Sequence, residues 1–551
     1  MRDKAIITSA LPYSNGEIHL GHVASTYLPA DVTTRFLKQK GVEAYYICAS
    51  DDYGTPILLQ SEKEGKSPEE YVAYWNKRDS EDFAAFDIDF DIFYKTSSKE
   101  NNEFVQDVFT KLNAAGHIYE SEIVQFYCNN DKKFLPDRYV KGICPYCKAE
   151  DQYSDLCEKC GRVPEEIENP KCSICGQTPV KEKTKHYFYK LKNFSDQLSK
   201  WLEKNENLQK DVKKYVQNWI KTGLVDWDIS RDISWGVPIP LDDAKGKVFY
   251  GWFDNHLAYI STAIKFLNDK GINGKKFWNS ADIYHFIGKD IVYHHFLFLP
   301  AMRLGINEEY KLPDYIPTRG FLTLESKKIS KSRNWYIGLK EFLGYYPADY
   351  LRFYLVSINP YSQDDLNFDW DEFATKINSE LIGNLGNFIN RALGFAQKSF
   401  DGKVPEPDAL DDADNKSQEK IKKLATDVGI LMEQNHLDRA LKKILEFSTH
   451  FNQYFQHKEP WKSGPGTNTC VYLSVNAARS LAIACYPFMP KSAQKIWLQL
   501  GLDGNVSEQS WDSVSEILIQ ANHQLGTPSP LFAKVEESDI KNHKQKLGSQ
   551  N

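Results

Sequence analysis

The stretch that most constrains the fold lies near the start of the chain, at residues 10–25. It follows an apolar run at residues 5–7, which predicts a buried strand, and it then turns into a helical pattern. His19 and His22 are three residues apart and share one face of that helix, and Gly21 leaves bare backbone between them. A helix N-terminus beside two imidazoles suits an anion, because free N–H groups and partial positive charge meet there. On its own, however, a histidine pair at this spacing more often has a structural or metal-binding role.

Short apolar runs alternate with helical patterns over residues 1–115, which predicts a doubly wound parallel sheet of α/β class. Ligands of such sheets bind at the carboxyl ends of the strands. Two predicted strand ends carry residues 11–13 and 50–52, and a third apolar run, at residues 283–287, ends in residues 288–290. Since these ends come from separate parts of the chain, we expect them to form one composite site.

Seven of the ten cysteines fall between residues 128 and 175, largely in Cys-x-x-Cys pairs. In a chain without an export signal, this pattern indicates metal binding rather than disulfides. Two of the pairs offer four thiolates, the closed tetrahedral set of structural zinc: Cys144, Cys147, Cys157 and Cys160. A third pair allows a second zinc site with one carboxylate, whose occupancy stays open: Cys128, Asp131, Cys172 and Cys175.

Length and charge limit the classes of protein to which the chain can belong. With 551 residues it is too long for one core, so three or four domains are expected. The apolar content of 41% and the charged content of 26% are ordinary for soluble globular proteins. The formal net charge of -7 argues against a nonspecific polyanion binder, although a local basic face remains compatible with it. Because neither a membrane span nor an export signal is visible, a cytoplasmic location is expected.

Two distant motifs resemble the signatures of class I aminoacyl-tRNA synthetases. His-Leu-Gly-His at residues 19–22 resembles the first signature, and Lys-Ile-Ser-Lys-Ser at residues 328–332 resembles the mobile lysine loop that forms the second. Two further short segments resemble the methionyl-tRNA synthetase family in particular: Leu-Pro-Tyr at residues 11–13 and Phe-Ile-Gly-Lys-Asp at residues 286–290. The resemblance covers nearly the whole chain, and Ile329 stands where the family usually has methionine.

The resemblance implies an enzyme that activates L-methionine with ATP to methionyl-adenylate and transfers it to the 3′ end of initiator and elongator tRNA. It implies Mg²⁺ with the ATP, structural zinc in an insertion, and a monomer, with a separate tRNA-binding protein as an open alternative. Catalytic roles are implied for residues of the two signatures: His19, His22, Lys328 and Lys331. ATP contacts are implied for a partly overlapping set: His19, Gly21, His22, Gly288, Asp290 and Lys331.

The resemblance also implies a methionine pocket with aromatic walls and one carboxylate for the α-ammonium group. The matching positions are Leu11, Tyr13, Asp51, Trp252, Tyr259 and His295. Four neighbouring positions depart from the family pattern: Asn255 and His256 replace Ala-Pro, His294 replaces an aromatic hydrocarbon ring, and Leu299 replaces tryptophan. These departures leave the selectivity of the pocket open.

The resemblance and the composition together divide the chain into six segments. We expect the two halves of a Rossmann-type catalytic domain at residues 1–115 and 236–320, with a zinc-knuckle insertion between them at residues 116–235. Residues 321–375 are expected to form the lysine-loop and stem-contact region. A helical anticodon-binding bundle is expected at residues 376–535, followed by a charged, loosely ordered tail at residues 536–551. Helical spacing of apolar residues supports the bundle. Anticodon contacts are implied for Asn387, Arg391 and Trp461.

Two other functions remain open at this point. One is a nonenzymatic RNA-binding relative that kept the fold and lost catalysis, although the residues needed for the chemistry are present. The other is a zinc-ribbon nucleic-acid module joined to an unrelated nucleotide-binding domain, which leaves the residues of the anticodon type without an explanation.

Overall fold

A parallel sheet of five strands forms the centre of the first part of the chain. The computed structural model describes residues 2–154, 157, 159–160, 162 and 164–548. The strands are β1 (Lys4–Ser9), β2 (Glu43–Ser50), β3 (Ile92–Lys95), β4 (Asp282–Gly288) and β5 (Thr318–Arg319). Their spatial order is β5-β4-β1-β2-β3, and all neighbours run parallel. The predicted doubly wound α/β fold is confirmed.

Hydrophobic cores lie on both faces of this sheet. In β1, Ile7 belongs to the core that includes helix Leu28–Gln39, whereas Ile6 belongs to the core that includes helix Lys99–Ala114. This alternation follows from the two-residue repeat of a strand, and it explains why every residue of the run at 5–7 is apolar. The other helices around the sheet are Thr55–Lys63, Pro68–Ala85, Gly251–Asp269, Gly274–Ser280 and Leu299–Gly305.

An insertion built on a long antiparallel hairpin separates β3 from β4. Its two main strands, Ile118–Cys128 and Val180–Tyr189, pair along residues 118–127 of the first. Beyond the hairpin lies a small three-stranded sheet made of Val140–Ile143, Gln152–Tyr153 and Glu168–Cys172. The chain then returns to the five-stranded parallel sheet through helices Ser195–Lys204 and Lys210–Thr222.

The lysine loop extends from a second small sheet that follows β5. This sheet consists of Leu322–Leu324, Lys327–Lys328 and Leu366–Phe368. Helices Leu339–Leu343 and Ala348–Ser357 follow the loop and pack on the same core as β1.

Helices make up most of the chain after residue 370. The main ones are Trp370–Lys376, Asn387–Ser399, Asp412–Glu433, Leu437–Lys458, Thr467–Cys485 and Pro490–Gln499, and a π-helical segment, Ile377–Gly386, joins the first two. The residues that predicted helices by their spacing, among them Ile421, Leu424 and Leu441, are buried between them. Across the described residues, none of the helices is both long and apolar enough to cross a bilayer.

The expectation of a loosely ordered tail is wrong for most of its residues. Glu537–Lys546 forms a helix in which Ile540 and His543 are buried. The His543 ring stacks on Trp370 with the ring centroids 4.6 Å apart, so two nonpolar or aromatic contacts hold a segment whose other residues are mostly charged. Residues 549–551 of the predicted tail lie outside the described part of the chain.

Candidate active site

The histidine signature begins the first helix after β1, ten residues beyond the end of that strand. His19 is the N-cap residue, and its Nδ1 accepts a hydrogen bond from the backbone N–H of Gly21 at 3.2 Å. The Nδ1 of His22 accepts one from the backbone N–H of His19 at 3.1 Å, and the two rings stack with centroids 3.7 Å apart. Because Nδ1 is the acceptor in both neutral rings, the proton lies on Nε2. Burial lowers the pKa of His19 to about 3 and holds the pKa of His22 well below its usual value, so both are neutral donors.

Lys331 lies beside this signature despite its distance in sequence. Its Nζ donates a hydrogen bond to the backbone carbonyl of Glu17 at 2.8 Å, and a Cβ at Gly16 would come within 2.8 Å of that nitrogen. Two residues earlier in the loop, Ile329 Cδ1 would lie 3.1 Å from a Cβ at Gly21. Glycines at both positions therefore allow the lysine loop to lie directly on the histidine signature.

One cavity of about 1200 Å³ contains both signatures and the carboxyl ends of β1, β2 and β4. It is lined by every residue that the sequence implied for catalysis, ATP and methionine: Leu11, Tyr13, His19, Gly21, His22, Asp51, Trp252, Tyr259, Gly288, Asp290, His295, Lys328 and Lys331. The structure thus brings the expected composite site together at the edge of the sheet where ligands of such folds bind. The binding role of each residue stays a prediction.

Asp51 is a half-buried carboxylate at the end of β2. Its backbone is held by the segment after β1, since Asp51 N donates to the Pro12 carbonyl at 2.7 Å. Asn255 Nδ2 donates to Asp51 Oδ2 at 3.1 Å, while no hydrogen-bond partner for Oδ1 occurs among the described residues. Burial raises the pKa of Asp51 to about 7. The side chain therefore has an unmet acceptor in a cavity that can admit a cation.

Aromatic rings form the wall beyond Asp51. The Trp252 ring stacks on His294 with centroids 3.8 Å apart. The Tyr259 hydroxyl donates to His295 Nε2 at 3.1 Å, and His295 Nδ1 donates to the carbonyl of Ile291 at 3.0 Å. Since a carbonyl can only accept, the proton of the neutral His295 ring lies on Nδ1.

The four departures from the family pattern differ in their positions. Asn255 and His256 line the cavity, and Asn255 is committed to Asp51. His294 lies against the far side of Trp252, and Leu299 is fully buried in the core. Leu299 therefore does not line this cavity. Of the four departures, Asn255, His256 and His294 are the ones positioned to affect the selectivity of the pocket.

The glycine at the end of β4 makes room for a carboxylate. A Cβ at Gly288 would lie 2.7 Å from Asp290 Oδ1, and both residues line the cavity. Lys289, between them, points elsewhere and pairs with Asp365 at 2.8 Å. Asp290 therefore has access to a bound molecule along bare backbone.

Two cavity-lining residues and one residue next to the cavity were not expected from the sequence. Arg138 and Arg231 line the cavity from the insertion, and no motif marked them. Glu17 holds the lysine loop through its backbone carbonyl and through its carboxylate, which accepts a hydrogen bond from the Tyr336 hydroxyl at 2.6 Å. Its position two residues before the first signature was the one signal that could have drawn attention to it.

Family models and relatives agree with this geometry. A model described as tRNA synthetases class I (M) matches residues 5–393, and one described as the anticodon binding domain of methionyl tRNA ligase matches residues 404–551. The chain belongs to the methionyl-tRNA synthetase family. It is 42% identical to the methionine–tRNA ligase of Methanopyrus kandleri, over 99% of this chain and 82% of the relative. With the methionine–tRNA ligase of Pyrococcus abyssi it shares 41% identity, over 97% of this chain and 76% of the relative.

A solved structure shares the fold of this family member. Mycobacterium tuberculosis methionyl-tRNA synthetase, solved in complex with methionyl-adenylate, superposes with a TM-score of 0.80 and 23% identity, covering 97% of this chain and 100% of that chain. The predicted family, fold class and enzyme class, an aminoacyl-tRNA synthetase, are confirmed.

The first cysteine cluster of this methionyl-tRNA synthetase family member has the dimensions of a tetrahedral site. Cys144 Sγ lies 3.8 Å from Cys160 Sγ, and Cys147 Sγ lies 3.6 Å from Cys157 Sγ. Zinc–sulfur bonds of about 2.3 Å in a tetrahedron would place the sulfurs about 3.8 Å apart. The four thiols therefore fit a metal ion.

The second cluster combines three thiols with one carboxylate. Asp131 Oδ2 lies 3.1 Å from the Sγ atoms of both Cys128 and Cys172, and Cys175 Sγ lies 3.5 Å from Cys128 Sγ. All four ligand atoms lie within 4.8 Å of one another, so this group could also hold a metal ion. Both predicted clusters are confirmed as groupings, and the identity of the metal belongs to the proposal below.

The residues implied for the anticodon share one exposed face of the helical domain. Asn387 Nδ2 donates to Asn452 Oδ1 at 2.9 Å, and Arg391 Nη2 donates to Gln456 Oε1 at 3.1 Å. The guanidinium of Arg391 lies 6.0 Å from the centroid of the Trp461 ring, which is 45% exposed. This face therefore offers an amide, a cation and a flat apolar ring next to one another.

Proposed function

We propose that the chain activates L-methionine with ATP in the cavity described above and transfers the methionyl group to the 3′ end of its tRNA. Membership of the family supports the reaction. The observation that supports the assignment of residues is the convergence of Lys331, His19 and His22 on one cavity, although they come from two distant segments. A nonenzymatic relative would have no need to keep that arrangement.

Adenylate formation requires placement and positive charge rather than a covalent intermediate. The methionine carboxylate attacks the α-phosphorus of ATP, and pyrophosphate leaves. His19 and His22, as neutral Nε2–H donors, hydrogen-bond the phosphates, and Lys331 supplies the charge that stabilises the transition state, with Lys328 as a second cation. Mg²⁺ bound with the nucleotide would neutralise charge on the departing pyrophosphate.

Substrate contacts follow from the chemistry of the lining groups. The Asp51 carboxylate pairs with the α-ammonium of methionine, and Tyr13, Trp252 and Tyr259 surround the side chain with polarizable rings. Asp290 accepts hydrogen bonds from the ribose hydroxyls at the end of β4, where bare backbone at Gly288 lets the nucleotide come close.

We further propose that the anticodon is read by the exposed face on the helical domain. Asn387 and Arg391 have the donors and acceptors to contact base edges, and the partly exposed Trp461 ring can stack on an unpaired base. A monomer, a cytoplasmic location and the participation of a separate tRNA-binding protein stay predictions.

The proposed function is tested by ATP–pyrophosphate exchange with methionine and, separately, with each of the other nineteen amino acids. Methionine is expected to support the fastest exchange, because the cavity combines a carboxylate for the α-ammonium group with aromatic walls for an unbranched side chain. Faster exchange with another amino acid would show that the substrate is wrong.

The same experiment, followed by tRNA charging, separates activation from transfer. In Trp461→Ala, exchange should remain while charging falls, because the ring lies on a different domain from the cavity. Leu498→Ala removes another exposed apolar side chain, 57% exposed, and is the matched control. Equal loss of exchange and charging in Trp461→Ala would indicate misfolding instead.

We propose that the cysteine clusters hold structural zinc and so stabilise the insertion. Metal analysis of the purified chain should find one zinc for the four-cysteine site and up to one more for the site with Asp131. Cys147→Ser should lose one zinc per chain, whereas Cys470→Ala, a buried cysteine outside both clusters, should lose none. Less than one zinc per wild-type chain would contradict both sites.

A further inference from the structure

A buried histidine joins the hairpin of the insertion to the segment that leads the chain back to the five-stranded sheet. His186 lies in the second main strand of that hairpin, Val180–Tyr189, and its side chain is fully buried. The ring Nδ1 lies 2.6 Å from Asp228 Oδ2, and Nε2 lies 3.0 Å from Asp232 Oδ2. Both aspartates follow helix Lys210–Thr222. The ring therefore bridges segments that are 42 and 46 residues apart in the chain.

Both ring nitrogens of His186 carry a hydrogen in this arrangement. An ionised carboxylate only accepts hydrogen bonds, and a neutral imidazole has a single N–H group for the two acceptors. Each carboxylate is kept ionised by a second cation. Arg231 Nη1 lies 3.3 Å from Asp228 Oδ2. On the other side, Lys247 Nζ pairs with Asp232 Oδ1. The ring is therefore an imidazolium at the centre of a charged row: Arg231, Asp228, His186, Asp232 and Lys247.

The surroundings of His186 favour its charged form. Burial alone would lower the pKa of His186, but its hydrogen bonds to the two carboxylates raise that pKa above the usual value. On the same face of the neighbouring strand, uncharged Ser121 lies directly opposite the histidine, and Tyr119, two residues along, stacks on Phe188. The other charged side chains close to it in the hairpin pair with one another on the opposite face: Glu120, Glu122, Lys183 and Lys185. The proton is thus held at neutral pH and is lost as the pH rises through the raised pKa.

The charged row ends at Arg231 on the wall of the active-site cavity. Its guanidinium carbon lies 3.8 Å from the centroid of the Tyr250 ring, and both residues line the cavity. The oxygen of Asp228 that accepts from Arg231 is also the one that accepts from His186. Without the second hydrogen on the imidazole, a nitrogen lone pair would face a carboxylate oxygen, and the two groups would separate. The place of the guanidinium on the wall therefore depends on the proton of a residue in the hairpin.

We propose that the imidazolium of His186 is a positioning group for the reaction, because through Asp228 it holds the Arg231 guanidinium on the cavity wall. His186 itself touches no substrate, since its side chain is fully buried. The proposal rests on the proposed function, in which the substrates bring carboxylate and phosphate groups into a cavity where a fixed cation stabilises them. Loss of the ring, or of its proton at alkaline pH, releases Asp228 and with it Arg231.

The charge of His186 is measured first, independently of activity, by NMR of the full chain labelled with ¹⁵N-histidine. At pH 7 both ring nitrogens of His186 should carry a hydrogen, and the signal is assigned by its absence in His186→Gln. Titration of the wild type then gives the pKa. Asp232→Asn removes one carboxylate charge and should lower that pKa. A neutral His186 ring at pH 7 would overturn the proposal.

The kinetic test follows methionine-dependent ATP–pyrophosphate exchange as a function of pH. His186→Gln should lower kcat/KM by about tenfold at pH 7, the low end of what a hydrogen bond to a charged group contributes. In the wild type the same loss should develop as the pH rises through the pKa measured by NMR, and in Asp232→Asn it should develop at lower pH. An alkaline step that is unchanged in His186→Gln would contradict the role of the proton.

His117→Gln is the matched control, because the α-ammonium group of methionine also loses its proton at alkaline pH in every variant. His117 is a half-buried histidine at the base of the same hairpin, where its ring contacts Phe194 at 4.9 Å between centroids. Its variant should keep the wild-type profile. A loss equal to that of His186→Gln would show that any change in the hairpin has this effect, and it would overturn the proposal.

A double-mutant cycle with Arg231→Ala separates positioning from a structural role. In the Arg231→Ala background, His186→Gln should have almost no further effect on exchange, because the group that it positions is gone. A further tenfold loss would overturn the proposal. If His186→Gln does not fold, the agreement between the NMR and kinetic pKa values in the wild type and in Asp232→Asn decides instead. Absence of methionine-dependent exchange in the wild type would overturn the proposed function, whereas the NMR titration would still decide the charge of His186.

Discussion

Replacement of Lys331 by alanine is expected to slow methionine-dependent ATP–pyrophosphate exchange by a hundredfold or more. The Nζ lies beside Gly16 and the two imidazoles, where negative charge develops on the phosphates as pyrophosphate leaves. Loss of one donor to a transition-state charge costs about 10²–10³ in rate. In the free protein the same Nζ makes a hydrogen bond to the Glu17 carbonyl, so the substitution removes little that holds the fold.

The loss should appear in kcat while KM for methionine changes little, because Asp51 and the aromatic wall, rather than Lys331, are proposed to bind methionine. Lys327→Ala is the matched control. That lysine belongs to the same loop, but its Nζ lies over the Trp335 ring, 4.4 Å from the centroid, and it is not among the cavity-lining residues that the structure describes. Exchange in Lys331→Ala within a few-fold of the Lys327→Ala rate would contradict the role given to Lys331.

Exchange at low methionine concentration is expected to rise with pH and to level off above an apparent pKa of about 7. Burial raises the pKa of Asp51 to about 7, so this carboxyl group is protonated below that pH and ionised above it. Only the ionised form can pair with the α-ammonium of methionine. The value of kcat/KM for methionine should therefore fall as the pH decreases through 7, whereas kcat at saturating methionine should fall less.

Asp51→Asn should abolish this pH step and reduce kcat/KM for methionine by roughly a hundredfold. Removal of one partner of a buried charge pair leaves the other charge unpaired, and this costs about 2–5 kcal/mol. The KM for ATP should stay near the wild-type value, which is the internal control, since the two signatures and the end of β4 are the parts proposed to bind the nucleotide. A pH step near 7 that persists in Asp51→Asn would assign the titration to another group.

Local patterns in the chain were sufficient to predict the architecture and the metal-type cysteine clusters, whereas the members of the active site came from the family resemblance. The apolar run at residues 5–7, the helical spacing of Ile421 and Leu424, and the paired cysteines each depend on residue type and spacing over a few positions. Such patterns predict local structure without knowledge of the tertiary packing, because they require only that the apolar side chains are buried and that the thiols come together. The predicted sheet, helical bundle and metal-type clusters are accordingly present.

Spacing alone did not predict the raised pKa of Asp51 or the helix that forms in the C-terminal tail. The pKa of Asp51 is raised because packing removes water from a carboxylate that has only Asn255 as a side-chain donor, and that packing involves residues 204 positions apart. The helix at residues 537–546 was missed because few of its side chains are buried, and one of them, His543, stacks on Trp370, which is far away in sequence. A mostly charged segment resembles a solvated tail until those contacts are known.

Residue types and their spacing pointed to the paired cysteines as metal ligands, and the resemblance of two distant motifs to a known family pointed to a histidine pair and a lysine. Only the tertiary structure decided which polar atoms around the cavity already have a hydrogen-bond partner within the protein. Among the described residues, the nitrogens of His256 have no hydrogen-bond partner, whereas His295 and Tyr259 are hydrogen-bonded to each other. Hydrogen-bond partners and burial depend on three-dimensional packing between distant segments rather than on the order of residues along the chain.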